Sequence, residues 1–524
     1  MNEQVSLNIK EVLAYAVENV GKINDSVKLS YPTLVDTFYS STNYQNVWNK
    51  AGQWLPMADS LYNFIEYSNY YGLYPADYNF LAIRHLRNKL AADSMARKDA
   101  ILWTNLDLLL TDGFMKVSQH LKFGRLGRDS LYPKADSMLS NLLAVNTLKS
   151  VVATRQLVPV LNTLEPKIKG YDSLKLAIPF FLDSIDRKNY SKIDYPDKDS
   201  LALIYALKAR LAEEHFIRPG DKAYSDSVGL SKAIMRAQKT KKMYVDGKIS
   251  APLIRRLNMN WSDYFKKIAL NLDRYKRLPD PMPERYIWVN LPGYYLKVFD
   301  NDTVYLESRI VCGKPETPTP QLNGSISNMV TYPQWTMPAS IVKKDILPAV
   351  KQDPGYLKKK GYSLVDSKGN EVDPYKVKWK KYKDDIPYNV VQGSGDDNAL
   401  GVFKFNFFSP FDIYLHDTNQ RYFFKYNTRS LSHGCVRVQE WEKLAAYISM
   451  SDSLANTSKK PVSYNMDSIH NWLAAKAKKT IYVRNRLPLF LRYITADAFN
   501  GKIVMYDDIY GIDKRITDKY FAGK

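Results

Sequence analysis

The sequence contains very little sulfur and histidine. Of its 524 residues only two are cysteines, Cys312 and Cys435, and six are histidines. Two cysteines cannot build a disulfide framework, and zinc ribbons and fingers need more sulfur than this. We therefore expect a fold without disulfide staples, no resident metal ion and no other cofactor.

Long apolar runs are also missing. No window approaches the roughly 18 consecutive apolar residues of a membrane span, so we expect no transmembrane segment. The first residues, MNEQVSLNIKEVLAYAVENV, lack the basic and apolar regions of a signal peptide. Taken alone this start predicts a cytoplasmic protein. A leader already removed would reverse that expectation, so location has to follow from function.

Basic residues exceed acidic ones, 75 Lys and Arg against 54 Asp and Glu, for a net charge of +21. The excess is spread along the chain with mild clusters such as KVKWKKYK at 376–383, which favours a solvated surface over a dedicated polyanion site. No zinc-finger spacing, aromatic RNA-binding signature or arginine-rich arm accompanies it. We expect no nucleic-acid partner, while an anionic polymer or surface stays open.

The first half of the chain has helical periodicity. Apolar residues recur at three-and-four spacing through 1–200, which predicts a helical scaffold domain. A compact unit follows at 201–259, where two or three short helices and a turn at Asp246 would share one small core. A helical connector at 260–283 ends this half. The predicted core of the compact unit consists of Leu207, Leu211, Leu230, Ile234 and Leu257.

After the connector the period changes to two residues. The segment 285–313 alternates apolar and polar residues, with turn residues at 291–293 and 300–302, and this predicts a β-meander. We predict an α+β multidomain protein in which 284–524 is β-rich and β-sandwich-like. A stretch rich in lysine and tyrosine interrupts the pattern at about 340–395, and we predict a lid over a site there.

The stretch RSLSHGCVRV, 429–438, places Cys435 among small and β-branched residues. A thiol becomes a useful nucleophile when an imidazole takes its proton and backbone donors await the oxyanion. Two histidines, His416 and His433, lie within twenty residues of it. His416 ends the alternating run FDIYLHDT, so it should project from a strand end. The following segment can then return Cys435 to its side.

The neighbours of the thiol fit the same chemistry. Gly434 leaves room for a substrate carbonyl and allows a backbone turn. Arg437 would share the side of Cys435 on an extended chain and could hold a carboxylate. Two other interpretations stay open here, a buried structural cysteine and a metal site made from His416, His433 and Cys435, although the motif offers no supporting carboxylate. Papain-like hydrolases fit poorly, since their histidine lies far downstream of the cysteine.

The spacing of these motifs resembles the L,D-transpeptidase catalytic domain of bacterial cell-wall synthesis. HDT begins at His416, fifteen residues separate that histidine from Ser432, and SHGCVRV follows. Collinear segments from about 271 to 511 agree with it, among them NLDRYKRLP, YPQWTMPASI and NALGVFKFNF. Segments of the first 200 residues resemble the helical scaffold of the large members, which also carry a three-helix peptidoglycan-binding module, matched at 201–259, and a substrate-capping insertion, matched at 340–395.

The resemblance implies a reaction and assigns roles to residues. The cysteine would attack the bond after the third residue of a tetrapeptide stem of peptidoglycan, release D-alanine, and pass the acyl group to the amine of another stem's diamino acid. Carbapenem-type inhibitors and an extracytoplasmic, periplasmic location are implied as well, against the leaderless start. The implied roles are nucleophile for Cys435, general base for His416, and substrate or oxyanion contacts for Ser432, His433, Gly434 and Arg437.

Alternatives remain within and beyond this family. Water competes with the amine for the acyl-enzyme, so an L,D-carboxypeptidase that trims tetrapeptides to tripeptides is a rival, and a non-catalytic wall-binding protein is another. Asp417 stands where some smaller members have glycine. We interpret Trp335 and Pro338 as groove wall and Cys312 as core.

Overall fold

The structure, a computed structural model, describes residues 1–24, 27–126, 142–196, 199–241, 243–455 and 464–523. It divides into two compact units. The first contains Met1–Met282, Thr495–Met505 and Gly511–Lys524, and the second contains Pro283–Ile494 and Tyr506–Tyr510. A helical first half and a β-rich second half confirm the predicted fold class. In the described ranges no helix is both long and apolar enough to cross a membrane.

The first unit begins with helices that surround one long buried helix, α5, whose aspartate N-cap Asp99 accepts a bond from the Ile101 amide. Apolar side chains from the surrounding helices form a continuous core with α5. The helices are α1 (Asn2–Glu18), α2 (Pro32–Ser40), α3 (Pro56–Glu66), α4 (Phe80–Ala92), α5 (Ala100–Phe123), α6 (Leu142–Thr154), α7 (Leu157–Asn162), α8 (Lys169–Leu176) and α9 (Ile178–Ser184), with a two-residue hairpin of β1 (Asn49–Lys50) and β2 (Gln53–Trp54).

A carboxylate inside this helical core organises the segment before the hairpin. Asp107, on α5, is fully buried. It accepts hydrogen bonds from the Val47 amide at 3.0 Å, the Trp48 amide at 2.9 Å, the Asn49 side-chain amide at 2.7 Å and the Tyr39 hydroxyl. Burial raises the pKa of Asp107 to about 6, and these donors offset part of that shift. One side chain therefore satisfies four buried donors.

We predict that Asp107→Ala destabilises the helical unit by about 3 kcal/mol or more, because it leaves several buried donors without an acceptor. Asp107→Asn should lose less, since its carbonyl still accepts. Calorimetric melting of the full chain checks this, with the exposed Asp183→Ala as the matched control. Equal melting of Asp107→Ala and wild type would contradict the proposed importance of this network.

Three helices form a separate small core in the first unit. They are α10 (Ser200–Glu213), α11 (Ser227–Thr240) and α12 (Ala251–Asn258), each capped by an Asp or Ser side chain. Gly247, in the predicted turn, has a φ of +67°, and an added Cβ would lie 2.2 Å from Ser231 Oγ, so the turn requires glycine. All five predicted core residues are buried in one cluster, which confirms the predicted packing.

The end of the chain returns to the first unit. The connector helix α13 (Trp261–Tyr275) packs against β16 (Ala496–Phe499) and α19 (Ile512–Tyr520), and β17 (Lys502–Met505) pairs with β16. Arg274 pairs with Asp513 at 2.6 Å, and Asn271 Oδ1 accepts from the Thr495 amide at 2.8 Å, both in buried surroundings. The second unit is therefore shorter at its end than the predicted range 284–524, because these polar contacts and apolar packing hold the last residues on α13.

The second unit is built on a ten-stranded sheet that closes on itself. Its path runs β10-β11-β13-β5-β4-β3-β15-β6, and β6 pairs again with β10, while β14 extends from β6 and β12 pairs with β5. The strands are β3 (Arg285–Asn290), β4 (Tyr295–Asp300), β5 (Thr303–Gly313), β6 (Leu322–Thr331), β10 (Phe403–Phe407), β11 (Leu415–His416), β12 (Ser430–Ser432), β13 (Val436–Val438), β14 (Lys479–Tyr482) and β15 (Pro488–Arg492); helices α17 (Trp441–Leu454) and α18 (Met466–Ala474) follow β13.

The predicted meander at 285–313 is confirmed. β3, β4 and β5 are successive antiparallel strands, and turns lie at both predicted places. Asn301 and Asp302 both have positive φ, +47° and +62°, the conformation of a two-residue hairpin turn whose twist matches the flanking strands. The meander supplies β5, the strand on which the catalytic motif later packs.

The segment at 340–395 is a folded subdomain, which we call the cap. Its elements are α14 (Ala339–Ile341), a π-helical turn at Val342–Ile346, α15 (Leu347–Gln352), α16 (Tyr356–Lys359), β8 (Tyr362–Val365) and β9 (Asn389–Gln392), and β9 joins β7 (Trp335–Thr336) and β8 in a three-stranded sheet. Apolar side chains including Ile346, Leu357 and Trp379 form a core of its own. These buried residues make the predicted lid a folded subdomain, and its role as a lid stays a prediction.

Candidate active site

Parallel pairing of two short strands brings the predicted catalytic residues together. On β11 and β13, Leu415 lies opposite Val436 and His416 opposite Arg437. The Val436 amide donates to the Tyr414 carbonyl at 3.1 Å, so Cys435, just before β13, lies beside Tyr414. Cys435 and His416 line one cavity of about 250 Å³. The register of β11 and β13 thus brings Cys435 and His416 to the same cavity, as expected from the sequence.

The turn that carries Cys435 is braced from several directions. Gly434 has a φ of +124°, a region that side chains disfavour. Its amide donates to Ser432 Oγ at 3.1 Å, and Ser432 Oγ donates to the Cys435 carbonyl at 2.6 Å. The buried Thr319 hydroxyl donates to the Gly434 carbonyl at 2.7 Å. Ser432 and Gly434 therefore shape the turn, and the Gly434 amide is already engaged in this form of the protein.

His416 is a buried, neutral imidazole. Burial, the largest effect, and the positive charges of Arg437 and Lys404 together lower its pKa to about 3, while the nearby carbonyls of Asp417 and Leu400 oppose the shift. Its Nδ1 atom is buried and has no hydrogen-bond partner of normal geometry in the described part of the chain. A neutral ring at neutral pH can accept a proton, as a general base must.

Cys435 is half-buried, and its sulfur lies 3.9 Å from the Asp412 carbonyl. Burial raises the pKa of the Cys435 thiol above its usual value of 9. Hydrogen bonds from Tyr414 and the charges of Lys404 and Arg437 partly offset that effect by stabilising the thiolate. The shifts of the two pKa values therefore favour a neutral thiol beside a neutral imidazole.

This protonation state predicts the pH dependence of thiol alkylation. Below its pKa a thiol is mostly protonated, so the rate of iodoacetamide addition to Cys435 should rise about tenfold per pH unit from pH 7 and still be rising at pH 9. Peptide mapping of the adduct over pH 6 to 10, in a Cys312→Ala background, measures it. A plateau below pH 7 would instead reveal a preformed thiolate.

Lys404 and Tyr414 are site residues that sequence reasoning missed. Lys404 lies opposite His416 on β10, and its Nζ atom is 3.8 Å from the centroid of the Tyr414 ring. The Tyr414 hydroxyl hydrogen-bonds the sulfur of Cys435 and accepts from the indole of Trp335. Alternation along YLH places Tyr414 on the same side of its strand as His416, a signal that was available in the sequence.

We predict that Lys404→Met slows alkylation of Cys435 at pH 8 severalfold, because the thiolate loses a nearby positive charge and the thiol pKa rises further. The exposed Lys425→Met is the matched control and should leave the rate unchanged. The same labelling assay measures both variants. A rate for Lys404→Met equal to that of the control would mean that the ammonium does not act on the sulfur.

Arg437 and Asp417 lie near Cys435 and His416 and are held by hydrogen bonds. Arg437 Nη1 donates to Gln420 Oε1 at 2.9 Å, and its buried Nε atom makes no hydrogen bond to any described residue. Asp417 accepts from Arg421 at 2.6 Å and from the Val402 amide at 3.1 Å, so its side chain braces the end of β11. The roles in substrate binding and in orienting His416 stay predictions.

The cap forms one wall of the cavity. Trp335, Pro338, Ser340 and Ile341 face the same space as Cys435, consistent with the groove-wall interpretation of the first two. The tyrosines and lysines at 356–362 do not line it. His433, also at the cavity, approaches the cap, with Nε2 2.9 Å from Asp345 Oδ2.

The second cysteine lies in the core. Cys312 is fully buried on β5, and burial raises the pKa of its thiol to about 12, which confirms the core interpretation. The Tyr510 hydroxyl contacts its sulfur at 3.5 Å. Among the described residues no group of three His, Cys, Asp or Glu side chains could hold a metal ion.

Comparisons with known proteins agree with this geometry. Residues 33–178 match a family model described as a scaffold domain, and 284–462 match the L,D-transpeptidase catalytic domain. A curated Haemophilus influenzae protein named "Putative L,D-transpeptidase" is 38% identical over 256 residues, which are 49% of this chain and 50% of that protein. The chain thus aligns with about half the length of that relative.

A solved structure described as the Ldtfm-avibactam carbamoyl enzyme also matches, at 13% identity over 41% of this chain and 50% of that one. Its TM-score of 0.18 is too low to support a conclusion about the fold. The domain match covers β3 to β13, and so includes Cys435, His416 and the cap. Residues 284–462 are therefore an L,D-transpeptidase catalytic domain.

Proposed function

We propose that this protein is a cysteine-dependent L,D-transpeptidase that crosslinks peptidoglycan stem peptides. The observation that carries the proposal is the convergence of Cys435 and the neutral, buried His416 on one cavity inside an L,D-transpeptidase catalytic domain. A nucleophile and a base at one cavity suit acyl transfer. The cation of Arg437 beside them suits substrates that carry carboxylates.

The proposed reaction has two steps, acylation of Cys435 and transfer of the acyl group to an amine. Cys435 Sγ adds to the carbonyl carbon of the third residue of a donor tetrapeptide while His416 takes the thiol proton. The C–N bond to the terminal D-alanine then breaks, the leaving amine takes the proton from His416, and a thioester remains. An amine of a second stem attacks the thioester, His416 takes its proton, and the C–S bond breaks to return the thiol.

The other parts of the chain fit the same proposal. We propose that the three-helix module at 201–259 binds peptidoglycan and that the cap holds stem peptides against the cavity. An extracytoplasmic, periplasmic location follows from the substrate, and carbapenem-type β-lactams should acylate Cys435. The net charge of +21 suits an anionic polymer.

Mass spectrometry of muropeptides tests the proposal. Purified protein is incubated with disaccharide tetrapeptides, and the products are separated and weighed. Crosslinked dimers that retain a bond after the third residue of the donor stem are expected. Tripeptides without dimers would instead establish a trimming L,D-carboxypeptidase, and unchanged tetrapeptides would favour a non-catalytic wall-binding protein.

A further inference from the structure

We propose that Asp345 is a positioning residue that ties the cap to the catalytic turn through His433. The two side chains meet at 2.9 Å between Asp345 Oδ2 and His433 Nε2, and each is a little more than one third exposed. Asp345 belongs to the cap, whereas His433 precedes Gly434 and Cys435. This contact therefore joins the subdomain that walls the cavity to the turn that holds the nucleophile.

The cap end of this contact is fixed by packing. Asp345 lies in the single π-helical turn Val342–Ile346, and such turns are frequent at functional sites. Its neighbours Val342 and Ile346 are buried in the cap core, with 5% and 3% exposure. The preceding residues, Ser340 and Ile341, face the cavity. A displacement of Asp345 would therefore also move the cavity wall.

The catalytic end is equally constrained. The turn at 432–435 is closed by Ser432 Oγ, which bonds both the Gly434 amide and the Cys435 carbonyl, and by Thr319 at the Gly434 carbonyl. The His433 side chain leaves this rigid turn and reaches the cap. Because the pair is partly solvated, its contribution is modest, and the link can open and close as substrates enter and leave.

The link matters most after acylation, and this consequence rests on the proposed function. Water or an amine can attack the thioester carbon. Either attack breaks the C–S bond and sends a proton to His416, but one yields a free acid and the other an amide. A cap held closed excludes water from the cavity. We infer that the Asp345–His433 contact favours crosslinking over hydrolysis.

Hydrogen exchange tests the link without reference to catalysis. In the full-length protein, Asp345→Ala should speed exchange of peptides covering 339–352, whereas Asp345→Asn, which keeps an acceptor for His433, should exchange more slowly than Asp345→Ala. Asp384→Ala is the matched control, since it removes an exposed ion pair, at 3.0 Å, to Lys343 in the same π-helical turn without changing the contact to His433. Equal exchange in Asp345→Ala and Asp384→Ala would overturn the link.

Analysis of the reaction products tests whether the Asp345–His433 contact favours transfer of the acyl group to an amine over its hydrolysis. The dimer-to-tripeptide ratio should fall about threefold or more in Asp345→Ala and stay unchanged in Asp384→Ala. In a His433→Ala background, Asp345→Ala should add no further change in either exchange or ratio. A general folding defect would lower both products together and leave the ratio constant. A wild-type protein that forms no dimers refutes the proposed function, whereas dimer formation with an unaltered ratio in Asp345→Ala refutes only the effect on the acyl group.

Discussion

Replacing Cys435 with alanine should abolish crosslinking and covalent carbapenem capture, with a loss of at least about 10⁴-fold, because we propose that the acyl intermediate forms on the Cys435 thiol. The fold should persist. The thiol is small and half-buried, and its sulfur lies 3.9 Å from the Asp412 carbonyl. Intact-mass spectrometry after carbapenem treatment and muropeptide analysis measure the two activities, and thermal melting measures the stability.

The chain contains its own control for this experiment. Cys312→Ala removes the other thiol, which is fully buried and whose pKa burial raises to about 12. We expect this variant to retain acylation and crosslinking, though it should be less stable because a buried side chain is shortened. Capture of the carbapenem by the Cys435→Ala variant, or crosslinking by it, would remove Cys435 from the mechanism.

The strands and the placement of Cys435 and His416 at one cavity could be predicted because their signals are local. The two-residue alternation at 285–313 indicates strands of a sheet with one buried face. The observed hairpin at Asn301 and Asp302 follows from turn residues with positive φ. The short separation between His416 and Cys435 leaves room for one return of the chain. The parallel pairing of β11 with β13 then brings them to one cavity.

The cap could not be predicted as a folded subdomain, because its composition hides its core. Lysine and tyrosine dominate the segment, while the buried residues Val350, Leu357, Leu364 and Trp379 are widely spaced. They pack together only after β9 returns to pair with β7 and β8. The apolar periodicity that reveals a single helix or strand does not describe contacts between distant segments.

The contacts of Lys404 and Asp345 could not be predicted from the sequence either, because they form only in the tertiary structure. Lys404 follows the alternating pattern of FKFNF, which predicts a strand but not that its ammonium rests on Tyr414. Asp345 is one of several acidic residues in the cap, and nothing near it in sequence indicates His433. The return of the last residues to α13 was similarly hidden, since Arg274 and Asp513 are 239 residues apart.

His416→Ala should lower the rate of acylation by a carbapenem on the order of 10² to 10⁴-fold, the usual contribution of a general base. The surroundings of His416 also predict how the acylation rate depends on pH. Since burial and nearby positive charges lower the pKa of His416 to about 3, the imidazole is an unprotonated base throughout pH 5 to 8. Wild-type acylation should therefore not fall through pH 6.5 as it would with an unperturbed histidine.

Two measurements distinguish the loss of a general base at His416 from a change in the surroundings of the Cys435 thiol. Iodoacetamide labelling at pH 10 depends on thiolate already formed by hydroxide, so His416→Ala should change it far less than it changes acylation at pH 7. His433→Ala, whose side chain instead contacts Asp345, should lower acylation less than tenfold. A loss below tenfold in His416→Ala, with a larger loss in His433→Ala, would transfer the role of general base to His433.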